Sequence, residues 1–251
     1  MFLSVTVAPP PLPVYAQPVC PGDGYLWTPG YWAYGPAGYY WVPGAWVMAP
    51  RPGLLWTPGY WGFAGGVYAW HAGYWGPHVG FYGGVNYGFG YGGFGFYGGR
   101  WEGNHFAYNT AVLHVNTAVV HNTYVDRTVI RNTTVINRTS FNGPGGIEAR
   151  PRGQELAAQR EQHFGATNAQ MSHERSASFN RANFANRGGP NGGNNFQHEN
   201  RNNFQRQNGA AFHDRGNAAV HENAPRNERQ GGNQRYSGDG RDQHGGGRQF
   251  R

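Results

Sequence analysis

Trp27-Thr28-Pro29-Gly30-Tyr31-Trp32 decides how this chain reads, because the phrase recurs three more times. Trp41-Val42-Pro43-Gly44-Ala45-Trp46, Trp56-Thr57-Pro58-Gly59-Tyr60-Trp61 and Trp70-His71-Ala72-Gly73-Tyr74-Trp75 follow, their first tryptophans spaced by 14, 15 and 14 residues. A period of that length is too short for a helical hairpin and suits one strand with one tight connection. The connections carry turn residues: Tyr34-Gly35-Pro36-Ala37-Gly38, Pro50-Arg51-Pro52-Gly53 and Ala64-Gly65-Gly66. Between them lie Trp, Tyr, Val and Leu, which fit a pleated surface. The pattern predicts a four-stranded antiparallel meander over residues 25–76.

Two tryptophans five apart fall on opposite faces of a regular strand. The Gly between them, preceded by Pro in three copies, predicts a bulge that brings both rings to one side. The candidate site residues are therefore Trp27, Trp32, Trp41, Trp46, Trp56, Trp61, Trp70 and Trp75, with glycines Gly30, Gly44, Gly59 and Gly73. The rings can serve as structural core or as a ligand-stacking surface. Covering them offsets only part of the entropy lost in ordering the stretch. The module is expected to dock on another part of the chain or on a second copy.

These spaced units resemble the WXXGXW (YXWGXW) repeat family of bacterial proteins. The resemblance extends to Pro18-Val19-Cys20-Pro21 through Gly24-Tyr25-Leu26-Trp27, to Gly73-Tyr74-Trp75-Gly76-Pro77-His78 and to Phe141-Asn142-Gly143-Pro144-Gly145-Gly146-Ile147. It implies an extracytoplasmic setting (periplasm, outer membrane or secreted) with no assigned activity, and it passes on no catalytic residue. The start of the chain fits export poorly. Phe2 to Ala8 is a short apolar run with no basic residue before it, and Pro9-Pro10-Pro11 follows, so no complete signal peptide or spanning helix is evident. Residues 1–24 read as a Pro-rich lead, a signal remnant or the product of an internal start.

Charge is segregated along the 251 residues. Every basic side chain is Arg, and residues 150–251 hold fifteen Arg against nine acids, nearly all of the net +7. Such a segment suits phosphate or anionic polysaccharide, or simply stays solvated. Cys20 is the only cysteine, which excludes an intramolecular disulfide. Gln17-Pro18-Val19 before it lacks the small, apolar pattern of a lipid-attachment site, so an unmodified thiol is expected.

Beyond the repeats, residues 77–104 form a Gly-aromatic connector whose Tyr and Phe are expected to lie back on the sheet. Gly88-x-Gly90-x-x-Gly93 matches a dinucleotide-binding string, but no helix-forming sequence follows it. Gly80, Gly84, Gly88 and Gly92 imitate a membrane helix-packing ladder in a run too rich in Gly for a helix. Residues 105–147 repeat Asn-Thr-x-Val and predict two to four short strands covering the open face of the Trp sheet. Asn132-Thr133-Thr134 and Asn137-Arg138-Thr139 match a glycan acceptor pattern that is idle in a bacterial setting. Over 148–187 two weak, exposed helices are expected. One has Pro151 at its first position and runs to His163; the other opens with a Thr167-x-x-Gln170 capping box and runs to Asn186. Residues 188–251, rich in Arg, Asn, Gln and Gly, predict a disordered tail. The fold class expected is mainly β.

No catalytic set stands out. The repeats hold almost no acids to act in general acid–base chemistry, and His71/His78 and His114/His121 are seven apart with no Cys or acidic cluster beside them. No metal, cofactor or enzymatic activity is assigned. The function expected is a non-enzymatic cell-envelope or secreted repeat protein, acting by aromatic packing in self-association, structural or adhesive roles. Two alternatives share the residues. One is an envelope-polysaccharide binding module, with Trp and Tyr stacking on sugar rings. The other is a single-stranded RNA binder, disfavoured because Arg187-Gly188-Gly189 is the only Arg-Gly-Gly.

Overall fold

The four Trp phrases find their partners two by two. The computed structural model describes residues 3–130 and 138–186. The chain divides into two units, Met1–Gln197 and His198–Arg251, and the described residues all lie in the first. The expected tail over 188–251, the copy Asn132–Val135 and the first glycan acceptor triplet lie outside the described residues.

The protein is mainly β, in small and mostly antiparallel sheets. After β1 (Ser4–Val5), the first two phrases make one hairpin from β2 (Tyr25–Thr28), β3 (Tyr31–Gly35), β4 (Gly38–Val42) and β5 (Ala45–Met48). Strand β2 pairs with β5 and β3 with β4, so the hairpin's two long arms are each interrupted at Pro-Gly. The last two phrases repeat this with β6 (Leu55–Thr57), β7 (Tyr60–Ala64), β8 (Val67–His71) and β9 (Tyr74–Gly76), where β6 pairs with β9 and β7 with β8. The phrases therefore form two nested hairpins, not one meander. The turns explain it. Gly65 and Gly66 both take positive φ (61° and 83°), as a two-residue hairpin turn requires, and Pro36-Ala37 closes the first hairpin with the positive φ displaced to Gly38. The middle connection holds Pro50 and Pro52, which cannot donate to a ladder, and β5 and β6 do not pair.

The expected bulge is absent. Thr28 faces Ala45 on one side of the break and Tyr31 faces Val42 on the other, so each arm contributes two residues to the gap and the register is unbroken. The second hairpin behaves alike, with Thr57 opposite Tyr74 and Tyr60 opposite His71. In the first hairpin both arms carry Pro-Gly at the break, so the ladder lapses symmetrically and no extra residue is needed. Ala72 replaces Pro in the second hairpin and the break persists.

The outer halves of the hairpins differ. Strands β8 and β7 are extended into a four-stranded sheet by β1 on one edge and by β15 (Phe141–Asn142), running parallel to β7, on the other. Strands β3 and β4 remain a two-stranded ribbon. The Gly-aromatic run forms β10 (Asn86–Gly88) and β11 (Tyr91–Gly92), and next to it stands a sheet of β12 (Gly99–Glu102), β13 (His105–Asn109) and β14 (Thr123–Tyr124). The Asn-Thr-Val region thus extends one sheet edge through β15 and builds this separate sheet through β13 and β14, with buried Tyr108 of β13 lying 6.4 Å from the Trp46 ring.

Helix α1 (Gly153–Ala158) is shorter than the run to His163. Arg152 is its N-cap, its backbone N–H donating to Glu155 at 2.8 Å, so Pro151 stands before the cap and not at the first helical position. Helix α2 (Asn168–Asn186) starts where the capping box places it, with Thr167 N–H donating to Gln170 Oε1 at 2.8 Å and Gln170 N–H to Thr167 Oγ1 at 3.3 Å. It offers few apolar residues, and polar contacts anchor it. Gln170 accepts from Trp75 Nε1 at 2.8 Å, and His173 Nε2 donates to the Pro43 carbonyl at 2.8 Å.

Candidate functional site

The register sets the first Trp of one arm opposite the second Trp of the other. Trp27 faces Trp46, Trp32 faces Trp41, Trp56 faces Trp75 and Trp61 faces Trp70. All four pairs have ring centroids 5.2–5.4 Å apart with planes inclined by 51–66°, a tilted geometry that the aromatic quadrupole favours. The glycines have a separate task, because each repeat glycine lies under the first indole of the opposing arm. A methyl group on Gly30 would overlap the Trp41 ring, one on Gly44 the Trp27 ring, one on Gly59 the Trp70 ring and one on Gly73 the Trp56 ring. Facing glycine backbones also approach too closely for a Cβ. The motif is thus a reciprocal lock of two rings over two bare backbones.

Most of these rings are interior. Trp27, Trp46, Trp56, Trp61 and Trp75 are buried, while Trp32, Trp41 and Trp70 are half-buried. Several of their N–H groups bind the chain itself, whereas that of Trp27 is buried with no hydrogen-bond partner among the described residues. Trp46 donates to Pro18 O at 2.8 Å, Trp32 to Pro11 O at 3.2 Å, and Trp61 to Trp32 O at 2.8 Å, which ties the second hairpin to the first. The Pro-rich lead therefore supplies carbonyls to the indoles and belongs to the fold. Cys20 lies in it with 1 % exposure; burial pushes its thiol up to about 11, so it stays protonated and unreactive at neutral pH.

The connector's tyrosines lie back on the repeats as expected, through hydrogen bonds whose partners the sequence does not specify. Tyr87 donates to Gly59 O at 2.6 Å, and Tyr91 donates to Trp56 O at 2.8 Å while facing Trp27 O at 3.4 Å. Trp27 and Trp56 hold the same place in their hairpins, so one phenol joins equivalent points of both. Burial raises both phenols far above the usual tyrosine range, which keeps them as donors at every physiological pH. The sequence places these aromatics against the repeats but, with no periodicity in the connector, does not mark which carbonyls they reach.

Residues 22–47 and 51–75 each match the model of the WXXGXW repeat. The chain carries two WXXGXW repeats. Each matched segment takes in two Trp phrases and coincides with one nested hairpin, so the structural unit of the WXXGXW repeat here is a pair of arms. No curated protein and no solved structure matches the chain. No helix among the described residues is long and apolar enough to cross a membrane.

Where the two repeats meet, the breaks in all four arms line one cavity of about 110 Å³. Pro29, Pro43, Pro58 and Gly73 represent those breaks in its wall, and helix α2 contributes Gln170, His173 and Glu174.

Proposed function

We propose that this is a non-enzymatic structural protein of the cell envelope or the secreted space, in which the WXXGXW repeats build a scaffold. The supporting observation is the lock itself. Indoles lie against one another, and several of their N–H groups point to carbonyls of the same chain, so the repeats hold a rigid body together. The scaffold carries residues 150–251, where the excess of Arg suits anionic envelope polymers and gives the protein its adhesive character. Stacking on sugar rings draws less support, because an indole packed against a second indole has lost part of the face that a pyranose would take.

Fractionation of cells producing the tagged protein from its own locus tests this reading. Recovery in the envelope or the medium is expected. Recovery in the cytosol overturns it.

A further inference from the structure

Strand β1 is an outer edge of the four-stranded sheet, and it differs from other edges of the molecule. Ile147 folds back on β15, Phe164 bonds to Trp75 of β9, and the Arg100–Glu102 ion pair at 2.7 Å stands on β12. Covers and charges of this kind keep a sheet edge from pairing with a second chain. The β1 edge has neither. No charged side chain precedes Asp23 and no proline precedes Pro9. Leu3 and Ser4 are exposed.

The register shows which backbone groups are free. Ser4 faces Ala69 and Val5 faces Tyr68, while Leu3 O accepts from Trp70 N at 3.0 Å. Leu3 and Val5 thus turn their backbone groups toward β8, and Ser4 between them turns its N–H and C=O outward. Among the described residues nothing bonds to those two groups. An outward N–H and C=O take an extended chain, and the sequence around them fits a second copy of itself. Antiparallel pairing about a two-fold axis at Ser4 exchanges both Ser4 bonds. The same register sets Leu3 of each copy opposite Val5 of the other, on the face shared with Trp70 and Tyr68. Apolar meets apolar twice, and no charge meets its like.

We propose that two copies of this protein join edge to edge through β1, Ser4 to Ser4, so that their four-stranded sheets become one continuous sheet. Two backbone bonds and two Leu–Val contacts make a small interface, so the dimer is weak and reversible. The pairing does not depend on the compartment, and sedimentation and fractionation can fail separately.

Sedimentation velocity of the full chain over a wide range of concentration tests it. The average mass is expected to rise from monomer toward dimer with concentration. Ser4→Pro removes the outward N–H and no bond to β8, so it should weaken dimerisation about tenfold or more while the circular dichroism spectrum stays that of the parent. Leu3→Lys and Val5→Glu test the register. Each alone should weaken the dimer, and an equimolar mixture of the two should recover it, because an ammonium on one copy then faces a carboxylate on the other. The mixture decides the matter should Ser4→Pro lose the parent's spectrum. The proposal is overturned if the parent stays monomeric at every concentration, if folded Ser4→Pro dimerises like the parent, or if the mixture gains nothing over its separate components.

Discussion

The two WXXGXW repeats share one inner half and diverge at the tip. Around the breaks they match: same register, same Trp pairs, same indole over each glycine. At the tips the first remains a two-stranded ribbon and the second becomes the middle of a four-stranded sheet. The inner half is built from contacts between the arms, to which the second repeat adds one backbone bridge from Trp75 to Phe164. The outer half carries edges that the motif leaves open, and whichever segment lies nearby fills them. For the second hairpin those segments are Ser4–Val5 and Phe141–Asn142.

Substitutions can break this comparison. The largest effect belongs to the interior indoles. Trp46→Ala and Trp75→Ala, one per repeat, should each cost about 3–5 kcal/mol in urea unfolding, and a large difference between them would contradict equivalent inner halves. Next come Gly44→Ala and Gly73→Ala. Each forces a methyl into a rigid ring and a facing backbone, at about 1–3 kcal/mol by the same measurement. Gly53→Ala, at φ +87° but in open space, should lose only about 1–2 kcal/mol, from backbone strain alone.

A smaller effect should separate the repeats. Asn142 donates to Gly83 O at 3.1 Å and to Ala149 O at 2.9 Å, which secures β15 beside the second hairpin. Asn142→Ala should cost about 1–2 kcal/mol, with faster amide exchange in β7 and little change in β3 and β4. The smallest effect is a pH dependence. Burial lowers the folded pKa of His173, so its contribution is complete above the unfolded value of about 6.5 and is lost as pH falls from there toward the folded value. His173→Gln should flatten that part of the stability–pH profile.

Local features could be read directly from the sequence. The Thr167–Gln170 capping box needs only neighbouring residues, and it starts α2 where expected. The arms themselves were visible as Trp spacing. Their pairing was not, because a Pro- or Gly-rich connection looks much the same whether it closes a hairpin, as at Gly65-Gly66, or separates two, as at Pro50 to Gly53. The spacing of 15 at the middle connection, against 14 within each hairpin, was the one trace of the difference. The cavity was hidden for another reason. Glu174 and His173 are more than 100 residues from Pro43 and Tyr31, and they meet them through polar anchors that leave no apolar stripe on the helix.

An unbroken register with matching gaps limits how such chains grow. A single added phrase would have no opposite arm, leaving one indole without its glycine and one glycine without its indole. Duplication must therefore proceed in blocks of two, and an odd tally of phrases in a related sequence would mark a truncated hairpin or one completed by another molecule.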